Sequence, residues 1–337
     1  MSESIMDILV TIPDQHSRLK TFFNDTIRDR LNDLGSVTWN SGTEPLTQDE
    51  LKSLLPGKQV CITGWKSSQM TEDVLKKAED LELIAHVGGS VAPYVSDYSY
   101  DQGITVCSAN DVMAKIVAEY ILGSILSSLR DIPAIDAEMK AGEWDRGPTR
   151  IDSLFETTVG FVGLGTIGEY LLDLLAPFDV EVLVYDPYIS DARIADYEFV
   201  TRVNLEKVLT ESSIVSIHAS KTDETIHLLD EPKLELMQDD SLLINAARGS
   251  IIESEALIRE LETGRISAVL DVFDQEPLPA NHRLREFENV ILTPHMAGSA
   301  IREPLTSTMV DEISRFKQNR ALQHEIPKKQ YKLMTEQ

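Results

Sequence analysis

Thr158-Val159-Gly160-Phe161-Val162-Gly163-Leu164-Gly165-Thr166-Ile167-Gly168 is an apolar run that breaks into three glycines spaced G-x-G-x-x-G and resumes as an apolar helical pattern ending near Leu175. Strand, turn and helix in that order are the context in which such glycines bind a dinucleotide. Gly163 permits a tight turn, Gly165 lets backbone approach a pyrophosphate, and Gly168 lets helix and strand pack closely. The N–H groups and dipole of the opening helix then face the phosphates. The next apolar run, Val182-Leu183-Val184-Tyr185, ends at Asp186, at the distance where a carboxylate accepts hydrogen bonds from a ribose 2′-hydroxyl and repels a 2′-phosphate. The stretch therefore predicts an NAD site in preference to NADP.

Working outward, the strands expected around this turn are Thr158–Val162, Glu181–Tyr185, Ile214–His218, Leu242–Asn245, Ala268–Val272 and Val290–Leu292, with helical stretches between most of them. Six strands suit a complete Rossmann fold. An earlier series precedes them: Ile8–Ile12, Val37–Trp39, Gln59–Ile62, Leu83–His86 and Thr105–Cys107, followed by a long helix from about Asn110 to Leu129. Alternation of short apolar runs with helical segments predicts parallel sheets with crossover helices. Between the two series, Asp131-Ile132-Pro133, Ala141-Gly142-Glu143-Trp144 and Arg146-Gly147-Pro148 break the pattern, which reads as a less regular connecting arm. With 337 residues, the chain has room for two domains.

Hydrophobic residues make up 42% and charged residues 26%, ordinary globular usage. A formal charge of −25 sets up a negative field that disfavours nucleic acid and anionic membrane as partners. The basic run Lys317, Arg320, Lys328, Lys329 and Lys332 reads either as a solvated tail or as a partner contact. Cys61 and Cys107 lie in apolar surroundings without metal or redox spacing, so both read as buried small hydrophobes. No metal site is expected. The opening Met-Ser-Glu-Ser-Ile-Met-Asp lacks a basic patch followed by an apolar run, and no stretch approaches the length of uncharged residues that a membrane span needs, so the expected location is cytoplasmic.

Three residues near strand ends suit proton and hydride chemistry on a small acid. Arg248 follows Leu242-Leu243-Ile244-Asn245-Ala246-Ala247, and His295 follows Val290-Ile291-Leu292-Thr293-Pro294. Both fall at the carboxyl ends of strands, where open α/β sheets bind ligands. Glu276 lies just beyond the strand expected to end at Val272. A guanidinium fork suits a 2-oxo acid, an imidazole gives or takes the hydroxyl proton, and a carboxylate beside it fixes its orientation. Singly, an arginine or glutamate is most often a surface charge, and a histidine is as often a core partner. The weight comes from their joint placement after a dinucleotide fingerprint.

The strings Ile244-Asn245-Ala246-Ala247-Arg248-Gly249, Leu270-Asp271-Val272-Phe273-Asp274-Gln275-Glu276-Pro277-Leu278 and Thr293-Pro294-His295-Met296-Ala297-Gly298 resemble the D-isomer-specific 2-hydroxyacid dehydrogenases, from about Leu83 to Ala300. The resemblance implies hydride transfer with D stereochemistry, with Arg248 as substrate anchor, Glu276 as partner acid and His295 as general acid/base. It also implies that Thr166 and Ile167 meet the pyrophosphate, and that Asp271 meets the nicotinamide carboxamide. His218 either lines the cofactor or is only a strand-end residue. The implied architecture is a Rossmann NAD-binding domain (110–299) inserted in a flavodoxin-like substrate domain (1–109 and 300–337), both doubly wound parallel sheets. An arm at about 131–153 is expected to embrace a second subunit, giving a homodimer.

The pattern departs from the family at several places. After the strand ending near His86, where a glycine-alternating loop usually presents N–H groups to the substrate carboxylate, the chain reads Val87-Gly88-Gly89-Ser90-Val91-Ala92-Pro93-Tyr94. Gly88, Gly89 and Ser90 are the candidate substrate-binding residues, and Ser90 adds a hydroxyl; the bland reading is a simple turn. Glu119-Tyr120 replaces a frequent Glu-His, and Ala219-Ser220-Lys221 replaces a proline-containing stretch. Few residues follow the expected returning helix, so an appended regulatory domain is not expected. Two other readings stay open: a phosphoglycerate-type substrate, for which no added basic cluster stands near Gly88 to Tyr94 and Lys66 could reach the cleft but reads more readily as a surface lysine, and an NAD-sensing, corepressor-like binding protein.

Overall fold

The computed structural model describes residues 5–16, 19–144, 151–298, 302–332 and 334. The chain divides into a terminal unit, Met1–Met113 with Ile301–Gln337, and a central unit, Ala114–Ala300.

The terminal unit is built on β1 (Met6–Val10), β2 (Gly35–Trp39), β3 (Val60–Thr63), β4 (Leu83–His86) and β5 (Thr105–Ser108), in the order β2-β1-β3-β4-β5. Every pairing is parallel, and this order is that of flavodoxin-like sheets. All residues of β3 and β4 are buried, as expected for strands covered on both faces. Helix starts are specified locally. Asn24 accepts the Ile27 N–H at 2.9 Å, and Thr47 and Glu50 form a reciprocal capping box before Gln48–Leu54, each satisfying donors that a helix leaves orphaned. The returning helix Glu303–Lys317 buries Leu305, Met309, Val310 and Ile313, one stripe at helical spacing, against the helix Asp25–Leu34 and against β4.

The central unit carries β6 (Thr158–Val162), β7 (Glu181–Tyr185), β8 (Val200–Arg202), β9 (Ile214–Ile217), β10 (Leu242–Asn245), β11 (Ser267–Leu270) and β12 (Val290–Leu292). The order is β12-β11-β10-β9-β6-β7-β8, all parallel: the Rossmann order with one strand added. Chain direction across the sheet reverses between β6 and β9, so the glycine turn after β6 and the loop after β9 flank the switch point where such sheets bind ligands. Gly160 in β6 has no room for a side chain, because a Cβ there would come within 2.7 Å of Val208 Cγ1 and 2.5 Å of Ser212 Oγ. The helix Leu205–Glu211 therefore sits directly on the strand.

The sequence reading is corrected in two places. Among the described residues the sheet has seven strands rather than six. The additional β8 is an edge strand of three residues, Val-Thr-Arg, with Thr201 and Arg202 exposed, so it has no apolar run to betray it. The segment after Arg130 is not irregular from its start, because Ile132–Ala141 is a helix ending at Gly142 with φ +96°. Pro133 stands in the first turn, where the missing N–H costs no hydrogen bond. Asn110–Leu129 is long and apolar enough to cross a membrane by length and composition, with a mean hydropathy of 1.5 over 18 residues, although Lys115 and Glu119 interrupt it and leave no uncharged run of that length. Residues 145–150 of the expected arm, and the boundary expected near Ser299, lie outside the described residues.

Candidate active site

In the central unit, the turn after β6 holds Gly163 at φ +88°, and a Cβ there would lie 2.7 Å from the Ala219 backbone. Only glycine fits both the left-handed conformation and the contact. At Gly165 an added Cβ would find nothing nearer than the His218 carbonyl at 3.9 Å, so space stands open over the turn. At Gly168 a Cβ would meet Leu164 Cδ1 at 2.8 Å. The helix Thr166–Leu175 starts at Gly165 with no side-chain cap, leaving the Thr166 and Ile167 N–H groups at a bare helix start. That cradle fits a pyrophosphate. Asp186, following β7, accepts the Leu164 N–H on Oδ2 at 2.9 Å and the Tyr188 N–H on Oδ1 at 2.8 Å, so the carboxylate also ties the glycine turn to the neighbouring strand end.

His218 follows β9, with its ring 4.6 Å from that of Phe161. Its Nε2 is shut off from water without a hydrogen-bond partner, and burial holds the imidazole neutral, its pKa lowered to about 3. That nitrogen, next to the glycine turn, is a polar position the protein itself leaves unused.

Arg248 leaves the end of β10 through a turn that Asn245 builds. The Asn245 amide donates to the Arg248 carbonyl at 2.9 Å, and its oxygen accepts the Ala247 N–H at 3.1 Å. Arg248 Nη1 donates to the Ala247 carbonyl at 2.7 Å, while Nε is buried without a partner. Burial lowers the guanidinium pKa, and the Glu276 carboxylate offsets part of that effect, which puts the two side chains within electrostatic reach. Gly249 allows this approach, because a Cβ there would lie 2.1 Å from the Phe273 carbonyl carbon and 2.5 Å from the Asp274 nitrogen. A half-buried cation with a donor the protein leaves unused has the chemistry to meet an anion.

Glu276 and His295 are brought together. Glu276 Oε1 accepts the Phe273 N–H at 3.0 Å and Oε2 lies 2.7 Å from His295 Nδ1. His295 stands at φ +50°, an uncommon conformation for a non-glycine residue. Its N–H donates to the Asp271 carbonyl at 2.8 Å. Asp271 is 1% exposed, and its carboxylate is engaged within the protein: Oδ1 accepts Thr293 Oγ1–H at 2.6 Å and the Met296 N–H at 2.8 Å, and Oδ2 accepts the Ala297 N–H at 2.9 Å. Sequence reasoning missed Asn245, Thr293 and Tyr120, which touches Thr293, because each acts through contacts that no local pattern encodes.

In the terminal unit, Ser108 Oγ hydrogen-bonds the carbonyls of both Gly88 and Gly89, which turns that face of the loop inward. A Cβ on Gly88 would strike His86 Nε2 at 2.4 Å, while Ser90 Oγ accepts the Ala92 N–H at 3.3 Å. His86 is fully buried, stacked on Tyr94 at 4.5 Å and bonded through Nδ1 to Thr63 Oγ1 at 3.0 Å. Among the described residues, no group of three or more His, Cys, Asp or Glu side chains is arranged to hold a metal.

Residues 122–297 match the family described as D-isomer specific 2-hydroxyacid dehydrogenase, NAD binding domain. The chain is 41% identical to a glyoxylate reductase of Thermofilum pendens over 279 residues, covering 79% of each protein. It is 32% identical to a D-3-phosphoglycerate dehydrogenase of Methanocaldococcus jannaschii over 88% of this chain and 54% of that protein, so it spans about half the length of the phosphoglycerate dehydrogenases it matches. Among solved structures, an NAD-dependent formate dehydrogenase of Staphylococcus aureus in complex with NAD superposes with a TM-score of 0.70 at 26% identity, over 94% of this chain and 97% of that one.

Proposed function

This chain belongs to the D-isomer specific 2-hydroxyacid dehydrogenase family, and from that premise we propose that it reduces a small 2-oxo acid to the D-2-hydroxy acid, or the reverse, with NAD. The observation that carries the reading is the His295 Nδ1 to Glu276 Oε2 contact of 2.7 Å, with the half-buried Arg248 in electrostatic reach of that same carboxylate.

NAD, when bound, supplies or accepts the hydride. Gly163, Gly165, Gly168 and the Thr166 and Ile167 N–H groups would hold its pyrophosphate, Asp186 its ribose, and His218 would line it; for Asp271, whose carboxylate is engaged within the protein, contact with the nicotinamide carboxamide is proposed on the resemblance alone. Arg248 directs its fork at the substrate's carboxylate and carbonyl oxygens, drawing charge toward the oxygen that becomes the hydroxyl. His295 delivers the proton to that oxygen in reduction and removes it in oxidation. Glu276 holds Nδ1 so that the opposite ring nitrogen is the one that works. For Gly88, Gly89 and Ser90, backbone donation to the substrate carboxylate is proposed on the resemblance alone.

Similarity to a glyoxylate reductase over four fifths of both chains favours a small substrate over a phosphorylated one. Turnover of glyoxylate, hydroxypyruvate and 3-phosphohydroxypyruvate, compared at equal enzyme, tests that preference.

We also propose a homodimer. Ile132, Met139, Trp144, Ile151 and Phe155 are exposed, Trp144 at 85%, and the apolar helix Asn110–Leu129 has only 28% of its most apolar window buried. Apolar surface of that extent marks an interaction face. The free, buried Cys61 and Cys107 fit a reducing cytoplasm.

A further inference from the structure

Tyr120 Oη lies 2.6 Å from Thr293 Oγ1 although 173 residues separate them. Thr293 Oγ1 donates its own proton to Asp271 Oδ1 at 2.6 Å. A hydroxyl has one proton to give, so the phenol is the donor to Thr293 and the chain runs Tyr120 to Thr293 to Asp271. Asp271 then receives the Met296 and Ala297 N–H groups on its two oxygens and the His295 N–H on its carbonyl. The turn that holds His295 at φ +50° thus hangs from one buried carboxylate. Thr293 is one of the three donors that hold that carboxylate, and Tyr120 donates to Thr293 in turn.

We propose that Tyr120 is a positioning residue for the reaction, acting through Thr293 and Asp271 to fix the place of the His295 imidazole. This rests on the reading of His295 as the general acid/base. Burial raises the phenol's pKa, the hydrogen bonds with Thr293 and Ser124 oppose this, and the charge of Asp271 adds to it. The net rise keeps Tyr120 a donor across the working range. A phenylalanine of the same shape keeps the packing and removes the donor to Thr293 together with the phenol's bond to Ser124, leaving the threonine hydroxyl without its orienting partner. Small displacements of a reacting group cost much more rate than stability.

The test compares Tyr120→Phe, Thr293→Val, the double variant and Thr293→Ser, with His295→Ala as the floor. We expect Tyr120→Phe to lower kcat by about five-fold and Thr293→Val by about ten-fold or more, magnitudes set by loss of a neutral and of a charge-assisted hydrogen bond. KM for the 2-oxo acid, NADH affinity and Tm stay near wild type, and Thr293→Ser restores kcat. The double variant is no slower than Thr293→Val, because one group acts through the other. Wild-type kcat in a folded Tyr120→Phe enzyme overturns the proposal. So do independent, multiplying effects of the two substitutions, or a loss of Tm and NADH affinity in proportion to kcat. If the wild type turns over no 2-oxo acid, the functional reading fails by itself. The positioning chain is then read from the His295 imidazole titration by NMR in the NADH complex: a midpoint moved in Thr293→Val supports it, and an unmoved midpoint overturns it.

Discussion

The Asp186 carboxylate accepts the backbone N–H of Leu164 at 2.9 Å, which links the acid proposed to read the ribose to the turn proposed to hold the pyrophosphate. Replacing it therefore affects two parts of the dinucleotide at once. Asp186→Ala is expected to weaken NADH binding by about ten-fold or more, the effect of losing a hydrogen bond to a charged acceptor, and to narrow the preference over NADPH by removing the repulsion of a 2′-phosphate. Fluorescence titration with both cofactors checks this; an unchanged NADH-to-NADPH ratio would contradict the assignment.

Gly163→Ala forces a Cβ to within 2.7 Å of the Ala219 backbone at a φ of +88°. Strain of this kind costs on the order of 1–3 kcal/mol. The turn and the loop after β9 move apart to relieve it, so NADH affinity falls along with Tm. Gly165→Ala meets no protein atom nearer than 3.9 Å and should leave Tm in place while weakening NADH. Equal losses of Tm in the two variants would show that Gly165 is structural.

Stability should fall in acid. Burial lowers the pKa of His86 and of His218 to about 3, against about 6.5 in an unfolded chain. Between those values the unfolded state binds more protons, so stability is complete above about pH 6.5 and declines as pH falls toward 3, by up to about 1.4 kcal/mol per pH unit for each histidine. His86, with no exposed surface, carries the larger share. Urea melts of His86→Gln at pH 7 and pH 5 should show a smaller acid loss than wild type; an equal loss sinks the assignment.

Much of this architecture was legible in the sequence because its signals are local. The strand-glycine-helix unit from Thr158 to Leu175 and the helix Asn110–Leu129 both appear at the bounds the sequence suggested. What escaped lacked a local signature. β8 exposes two of its three residues, and the helix at Ile132 begins with a proline that looks like a breaker when its position in the turn is unknown. At the site, residue types at strand ends suggested Arg248, Glu276 and His295. Their support comes from Asn245, Asp271, Thr293 and Tyr120, and the longest of those links spans 173 residues. Only folding brings such partners together.

The exposed apolar side chains near the arm predict a dimer that charge will break. Ile132→Asp with Met139→Lys should shift sedimentation from dimer to monomer at micromolar concentration. A wild-type chain that sediments as a monomer would remove the dimer from the account.

The measurement that bears most directly on the central claim is NADH oxidation at near-neutral pH with glyoxylate, hydroxypyruvate, pyruvate, bulkier 2-oxo acids and 3-phosphohydroxypyruvate, using wild type, Glu276→Gln and His295→Ala. An NAD-dependent 2-hydroxyacid dehydrogenase turns over at least one small 2-oxo acid. In it, His295→Ala slows turnover by about 100-fold or more, as expected for loss of a general acid, Glu276→Gln gives an intermediate rate, and both variants still bind NADH. Tight NADH binding with no turnover of any acid by the wild type would contradict that activity and favour a protein that senses the cofactor.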